Sequence, residues 1–338
     1  MPPPVYGAVT SVDKASEYRI YFSKSLLDHQ IDTLQLYNLA YQVEIPTGQG
    51  SKTIRMFRPP VANVANVITL SEGQPPSNAP YKLIFEYITR TLQQYGGYAQ
   101  VSDIIDETEF LNTGDSLMTK FGEEAALWAD QLIREACING TTEEPTKFGK
   151  YYCGTAVDWA SLQALAANAC SMSSKELTNA VTRLRIQKAP TFSDGTYAAV
   201  FSPEQEKDVL DEGNNGWVYA SAFQKPEQIW KGLIGTFMGI KVMRTTNASY
   251  QNGGGTEGAY VAGGNVIAAL IFGKDAFACP KLSGESPAAP KVNTITQPDS
   301  ANPFGQFVSY VWKTFFNGVA CNTNFGITVN SKYNYTGV

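Results

Sequence analysis

The sequence contains few of the residues that most enzymes and nucleic-acid-binding proteins use at their functional sites. Its 338 residues include one histidine, and only 17% of them are charged. The 26 Lys and Arg residues are outnumbered by 31 Asp and Glu residues, and the cations form no cluster along the chain. Because a surface that binds nucleic acid is normally basic, this composition argues against tight or sequence-specific DNA binding.

Cysteine usage and hydropathy argue against further classes of protein. The five cysteines are odd in number and widely spaced, with no C-x-x-C pair. This pattern favours buried free thiols in a reducing cytoplasm over a disulfide framework or a metal site. No window approaches the ~18 consecutive apolar residues of a membrane helix, and the first residues lack the basic and apolar regions of a signal peptide. We therefore expect neither membrane insertion nor secretion.

The sequence motifs predict no catalytic, cofactor or metal site. His29 lies in a stretch of helical spacing with no matching Ser or Cys motif. A G-x-G-x-x-G match begins at Gly253, but it lacks the preceding strand and following helix that a nucleotide-binding fingerprint requires. Adjacent carboxylates such as Glu123 and Glu124 do not converge on one point when they lie on a helix. We expect a protein that is not an enzyme.

Aromatic residues, at 12%, and the 29 glycines and 18 prolines indicate a β-rich α+β protein with much irregular chain. Its clearest element covers residues 113–140, where apolar side chains recur three or four residues apart, as on an amphipathic helix. Thr113 or Asp115 can cap its start and Gly140 can end it. At ~1.5 Å per residue this spine helix would be roughly 40 Å long. Its predicted buried stripe consists of Leu117, Phe121, Ala125, Trp128, Leu132 and Ala136, widened by Met118, Ala129 and Ile133.

Residues 48–102 predict a long β-hairpin. Residues 52–58 alternate like a strand, with Thr53, Arg55 and Phe57 on one face and Ile54, Met56 and Arg58 on the other. A polar, proline-rich tip follows, and a second extended run begins at Tyr81. A two-stranded ribbon is marginally stable in water, and its free edges invite pairing with another chain. We therefore predict that a neighbouring subunit stabilises this ribbon and that the protein assembles.

The remaining segments predict an arm, a lobe and a final pair of strands. Residues 14–30 form a helical patch within an N-terminal arm. Strands and short helices alternate between about residues 173 and 250, which is typical of a compact α/β lobe; one helix begins at the Ser173 capping box and another covers residues 226–233. Residues 247–264 are too rich in glycine for regular structure. Near the end, Asn317 and Gly318 predict a tight turn between two hairpin strands.

Five stretches resemble a known family. They read RMFRPPV, TLSEGQPP, TLQQYGGYAQVSDIID, FGKDAFACPKL and NPFGQFVSYVWKTFFNGV. Together with the order arm, hairpin, spine helix, lobe and final strands, they resemble the major capsid proteins of tailed double-stranded DNA phages, whose fold is named after phage Hong Kong 97. More narrowly, they resemble the capsid family typified by the podovirus N-four.

The resemblance implies a domain organisation and a function. It implies a Hong Kong 97-like fold whose parts would be the N-terminal arm 1–47, the extended loop 48–102, the spine helix with the first part of the peripheral domain 103–172, the axial domain 173–265 and the C-terminal peripheral strands 266–338. The chain would form pentamers and hexamers of an icosahedral head that encloses DNA. Decoration, scaffolding and portal proteins would be further partners, contact with DNA would be weak and non-specific, no membrane would be involved, and assembly would take place in the host cytoplasm.

Charged residues of the ribbon are the candidates for intersubunit ion pairs: Arg55, Arg58, Glu72, Lys82 and Arg90. Exposed charges often contribute little, so this assignment stands beside a purely solvated role. Two other functions stay open at this point. One is a nanocompartment shell of the encapsulin type, and the other is a β-rich hydrolase or carbohydrate-binding protein.

Overall fold

The computed structural model describes residues 35–46, 51–58, 85–102, 113–211, 218–219, 233–237, 239–251, 256–261, 264–284, 290–295 and 306–334, with isolated positions between them. The predicted helix at 14–30, most of the arm, His29, Lys82 and most of the ribbon tip lie outside these residues, as does the predicted helix at 226–233 except for Leu233, which begins a strand.

The described residues form helices and strands throughout the chain. The helices are α1 (Leu36–Leu39), α2 (Thr113–Asn139), α3 (Trp159–Ala164), α4 (Ser174–Ile186) and α5 (Pro203–Asp211), with a 3-10 turn at Ala167–Ala169. The strands are β1 (Tyr41–Ile45), β2 (Thr53–Arg58), β3 (Glu86–Thr91), β4 (Gln93–Ser102), β5 (Gly149–Tyr152), β6 (Tyr197–Phe201), β7 (Val218–Tyr219), β8 (Leu233–Phe237), β9 (Ile240–Arg244), β10 (Ser249–Gln251), β11 (Val266–Phe272), β12 (Phe277–Leu282), β13 (Lys291–Ile295), β14 (Phe307–Phe316), β15 (Val319–Ala320) and β16 (Gly326–Lys332).

The predicted spine helix is confirmed as α2, which ends at Asn139. Gly140 follows in the left-handed conformation, at φ 71°, where a Cβ would lie 2.7 Å from the carbonyl oxygen of Pro145. One member of the predicted stripe is wrong, because Trp128 is 38% exposed. The buried members of the predicted stripe are Met118, Phe121, Ala125, Ala129, Ile133 and Ala136. Ala126 and Cys137, which the pattern did not include, are buried as well.

The first sheet has the strand order β1-β12-β14-β13, with β4 added to β14 and β15 added to β12. β4 and β14 pair antiparallel over ten residues, from Gln93 opposite Phe316 to Ser102 opposite Phe307. The inward side chains of β14 pack on the first half of the spine helix, in a cluster that contains Phe121 and Trp312. The second extended run of the predicted hairpin therefore belongs largely to a sheet of its own chain.

The second sheet has the order β5-β16-β11-β6-β9-β8-β7, with β10 added to β11. Both faces of its centre are covered. α4 packs on one face, in a cluster that contains Leu177 and Ile271, and the spine helix packs on the other, in a cluster that contains Ile133 and Leu270. β11 and β16 pair in this sheet with β6 and β5, so its strands lie on both sides of the domain boundary expected at residue 265.

Two local predictions are wrong. Asn317 and Gly318 do not form a hairpin turn, because β15 pairs with β12 and not with β14. The Asn317 side chain is fully buried and instead accepts a hydrogen bond from Arg90 and donates one to the Thr91 carbonyl. The glycine-rich segment after residue 247 is also not wholly irregular, since β10 forms within it.

Candidate assembly interface

The ribbon, defined here as β2 and β3, is a separate two-stranded sheet. Its strands pair antiparallel from Thr53 opposite Thr91 to Arg58 opposite Glu86. The predicted alternation of side chains is confirmed, since exposed and half-buried residues alternate along β2. The ribbon therefore has two faces that meet different surroundings.

The inward face of the ribbon rests on the chain's own first sheet. Ile88 is buried and forms a small cluster with Ala278 and Val319, and Met56 packs at the edge of that cluster. Apolar burial of this kind holds the base of the ribbon to its own subunit.

The outward face of the ribbon exposes large aromatic side chains. Phe57 and Tyr87 lie opposite each other in the pairing register and are 69% and 57% exposed. Phe85 is also exposed. The Arg55 guanidinium lies 5.0 Å from the centre of the Tyr87 ring, within range of a cation–π interaction. Contiguous exposed aromatics with an arginine are typical of protein–protein contact surfaces.

Arg58 has partners within its own chain. It forms an ion pair with Glu86 on the opposite strand, and its Nη1 donates a hydrogen bond of 3.1 Å to the Cys321 carbonyl. Both charged side chains of the pair are partly exposed, so the ion pair contributes little to subunit stability. The contact with Cys321 ties the end of β2 to the loop after β15.

Arg90, a residue of β3 on the inward face of the ribbon, is only 6% exposed. It donates hydrogen bonds of 2.7 Å to Asn317 Oδ1 and 2.9 Å to Thr141 Oγ1, and its Nη1 lies 3.4 Å from Glu143 Oε2. Burial lowers the pKa of the Arg90 guanidinium, and the nearby Glu143 carboxylate partly offsets this effect. Arg90 thus joins the ribbon to the segment after the spine helix and to the segment after β14.

The five charged residues that are candidates for intersubunit ion pairs lie in different surroundings. Arg55 lies on the outward face, whereas Arg58 and Arg90 use partners of their own subunit. Glu72 is exposed at an isolated described position, and Lys82 lies outside the described residues. The aromatic pair Phe57 and Tyr87 was missed as a candidate, although the alternation in β2 already placed Phe57 beside Arg55.

Three further features of the described residues concern the candidate metal and nucleotide sites and a cavity. His, Cys, Asp and Glu form no group of three that could hold a metal ion in the described part of the chain. Gly258, the last glycine of the G-x-G-x-x-G match, has φ 84° and accepts a hydrogen bond from Asn139 at the end of the spine helix, while Gly253 lies outside the described residues. A cavity of about 330 Å³ lies between α1, β1 and the loops at residues 192–193 and 274–275, and is open to solvent.

The cysteines are free, as predicted. Four are buried and Cys321 is partly buried. Burial raises the pKa of the Cys279 and Cys321 thiols to about 12, so they are poor nucleophiles at neutral pH. Among the described helices, none combines the length and hydropathy that crossing a bilayer requires.

Solved structures similar to this chain are dominated by phage capsids. No protein-family model and no curated protein matches the sequence. The capsid of Ralstonia phage GP4 is similar with a TM-score of 0.64 at 13% identity, covering 91% of this chain and 93% of that one. The capsid of cyanophage P-SCSP1u has a TM-score of 0.59 at 14% identity, covering 89% of each chain.

An encapsulin has a similar fold. The SrpI encapsulin of Synechococcus elongatus is similar with a TM-score of 0.54 at 10% identity, covering 90% of this chain and 89% of that one. These likenesses extend over nearly the whole chain, so they concern the complete arrangement of sheets and spine helix and not one shared motif. The chain has the mixed α/β fold of phage capsid proteins.

Proposed function

We propose that this chain is a major capsid protein that self-assembles into the icosahedral head of a tailed phage and encloses its double-stranded DNA. The single observation that carries this proposal is the similarity of nearly the whole chain to phage capsids. The outward face of the ribbon supports it independently, because Phe57 and Tyr87 remain exposed in the isolated subunit.

The ribbon would be the part of a Hong Kong 97-like extended loop that reaches a neighbouring copy. On its inward face, Ile88 and Met56 already pack on the first sheet of the same chain. The outward face is therefore the one available for contact with another copy. Burying two aromatic side chains contributes roughly 1.5–3 kcal/mol each before the cost of ordering is subtracted. Repeated around pentamers and hexamers, contacts of this size give a stable shell although each alone is weak.

The proposed division of the chain is the one that the resemblance to Hong Kong 97-type capsid proteins implies. The arm would be residues 1–47 and the extended loop 48–102, of which β4 also belongs to the first sheet. The peripheral domain would combine residues 103–172 and 266–338, and the axial domain would be 173–265. The net charge of -5 suits a shell that must not adhere to packaged DNA. Decoration, scaffolding and portal proteins would bind the same particle.

Electron microscopy of the expressed chain tests assembly directly. The wild-type chain should form closed shells or ring-shaped capsomers, and a chain that stays monomeric at high concentration would contradict the proposal. The double variant Phe57→Ser with Tyr87→Ser should remain folded and fail to assemble. The matched control exchanges the two rings, Phe57→Tyr with Tyr87→Phe, and should assemble because the aromatic surface is preserved.

A deletion tests the role of the rest of the loop. Removing residues 60–80 should leave the circular dichroism spectrum and the thermal midpoint of the subunit close to wild type and abolish assembly. Normal particles from this deletion would refute the role assigned to the extended loop.

The second candidate function is an encapsulin-like nanocompartment shell. The fold shared with the SrpI encapsulin favours it. The two functions differ in what the particle encloses and in the neighbouring genes. Terminase and portal genes beside this one indicate a phage head, whereas a gene for a cargo enzyme indicates a compartment.

A further inference from the structure

The second half of the spine helix covers a polar region of the second sheet. β10, β11 and β16 lie side by side, and one row across them contains Ser249, Ala268 and Asn330. Side chains of one row point to the same face of a sheet. Ala268 packs in the cluster that contains Ile133 of the spine helix, so the row faces that helix.

Six buried polar atoms in this region have no hydrogen-bond partner among the described residues. They are Arg134 Nε, Ser249 Oγ, Gln251 Nε2, Thr328 Oγ1 and both amide atoms of Asn330. Each of these residues is at most 2% exposed. Only four other atoms of this kind occur in the described chain, and they belong to four separate residues: Arg90, Gln187, Trp312 and Thr314.

Further contacts place Arg134 beside this row and Gln251 near the end of the spine helix, while Thr328 lies on the same strand as Asn330. Arg134 Nη1 donates to the carbonyls of Asn247 and Ala248 at 2.5 and 3.1 Å, which places its guanidinium beside Ser249. Gln251 Oε1 accepts a hydrogen bond from the Gly258 amide, whose own carbonyl accepts one from the end of the spine helix. Thr328 lies two residues before Asn330 on β16 and therefore faces the same side.

We propose that this junction between the spine helix and the second sheet encloses ordered water molecules that bridge Asn330, Ser249 and Arg134. Leaving six polar atoms unpaired in the interior would cost free energy comparable to the whole margin of a folded domain. Ala268, which lies between Ser249 and Asn330 in the row, contributes only a methyl group. With strands ~4.8 Å apart, Ser249 and Asn330 have Cα atoms roughly 10 Å apart, too far for a direct bond and within reach of bridging water.

The chemistry of the cluster selects water over an ion. Arg134 Nε and Gln251 Nε2 are donors, Asn330 Oδ1 is an acceptor, and the hydroxyls of Ser249 and Thr328 can act as either. An anion would leave the Asn330 oxygen without a donor, and a cation would find no carboxylate among these five side chains. Water supplies both kinds of partner in one enclosed space. The junction therefore fixes the spine helix on the sheet through a hydrated polar contact.

A density map of the wild-type protein, at a resolution that shows ordered water, tests the proposal first. Peaks within hydrogen-bond distance of Asn330 and Ser249 would support it. Direct side-chain contacts that pair all six atoms, or an empty junction, would overturn it.

Thermal unfolding of two variants provides the second test. Asn330→Leu keeps the volume but cannot bind water, so the midpoint should fall by roughly 4 °C or more as Ser249 and Arg134 lose their bridge. The matched control is Thr314→Val, which removes a buried, unpartnered hydroxyl outside the junction and should leave the midpoint unchanged or raise it. If Asn330→Leu also raises the midpoint, the junction is dry and the proposal is wrong. If that variant fails to fold, the wild-type map decides.

Discussion

Replacing Arg90 with alanine should destabilise the subunit itself. The substitution removes hydrogen bonds to Asn317 and Thr141 and the charge contact with Glu143, and it leaves the fully buried Asn317 Oδ1 with the Gly318 N–H as its remaining donor. Hydrogen bonds that involve a charged group contribute ~1.5–3 kcal/mol each, and because the Glu143 side chain that remains is 40% exposed, no charge is left buried. By contrast, Arg55→Ala removes an exposed cation–π contact worth ~0.5–1 kcal/mol.

Urea unfolding of dissociated subunits, followed by intrinsic fluorescence, measures the difference. Arg90→Ala should shift the midpoint far more than Arg55→Ala, with the dependence on urea concentration unchanged. Arg55→Ala should instead weaken assembly of folded subunits. If Arg90→Ala leaves subunit stability within ~1 kcal/mol of wild type, Arg90 does not anchor the ribbon, and its role as an intersubunit residue becomes the better explanation.

Two further predictions concern the spine helix and β4. Burial raises the pKa of Asp130 to about 6, against 3.8 in the unfolded chain, although three backbone N–H groups at the start of α1 partly offset the effect. A raised folded-state pKa contributes stability that is present below pH 4 and lost as pH rises through 6. The unfolding free energy of wild type, measured relative to that of Asp130→Asn, should therefore fall by up to ~3 kcal/mol between pH 4 and pH 6. A difference between the two proteins that does not change with pH would contradict the raised pKa. Gly96→Ala would place a Cβ 2.4 Å from the Trp312 carbonyl oxygen and should cost ~1–3 kcal/mol in urea unfolding, whereas Gln100→Ala on the same strand should cost little.

The sequence predicts the elements whose pattern is local. The spine helix and β2 carry regular apolar or alternating spacing over their whole length, and their ends coincide with Gly140 and Pro59. Capping boxes are equally local, and Ser173 indeed accepts a hydrogen bond from the Glu176 amide at the start of α4. These features depend on neighbours along the chain, so one sequence is enough to find them.

Pairings between distant segments could not be predicted in the same way. β4 reads as a continuation of the hairpin, yet it pairs with β14, more than two hundred residues away. Asn317 and Gly318 read as a turn, yet the buried Arg90 guanidinium recruits the Asn317 side chain. In both cases a contact with a distant segment overrides the local sequence signal. The sequence around β4 or Asn317 does not indicate which distant segment that is.

The candidate interface was predictable as a ribbon but not residue by residue. Charge suggested Arg58 and Arg90, whereas the alternation of β2 and β3 turns both side chains toward the subunit's own body. The same alternation turns Phe57 and Tyr87 outward. Side-chain direction therefore decides the role of a ribbon residue more reliably than its charge does.

This alternation lets one short sheet serve two purposes that do not interfere. Met56 and Phe57 are neighbours in sequence, but Met56 packs on the cluster around Ile88 while Phe57 faces solvent. A substitution at the first position acts on the folding of one subunit, and a substitution at the second acts on the contact between subunits. Because a slip of one residue in the β2–β3 pairing would exchange the two sets, the register that places Phe57 opposite Tyr87 and Met56 opposite Ile88 keeps the aromatic face available for assembly.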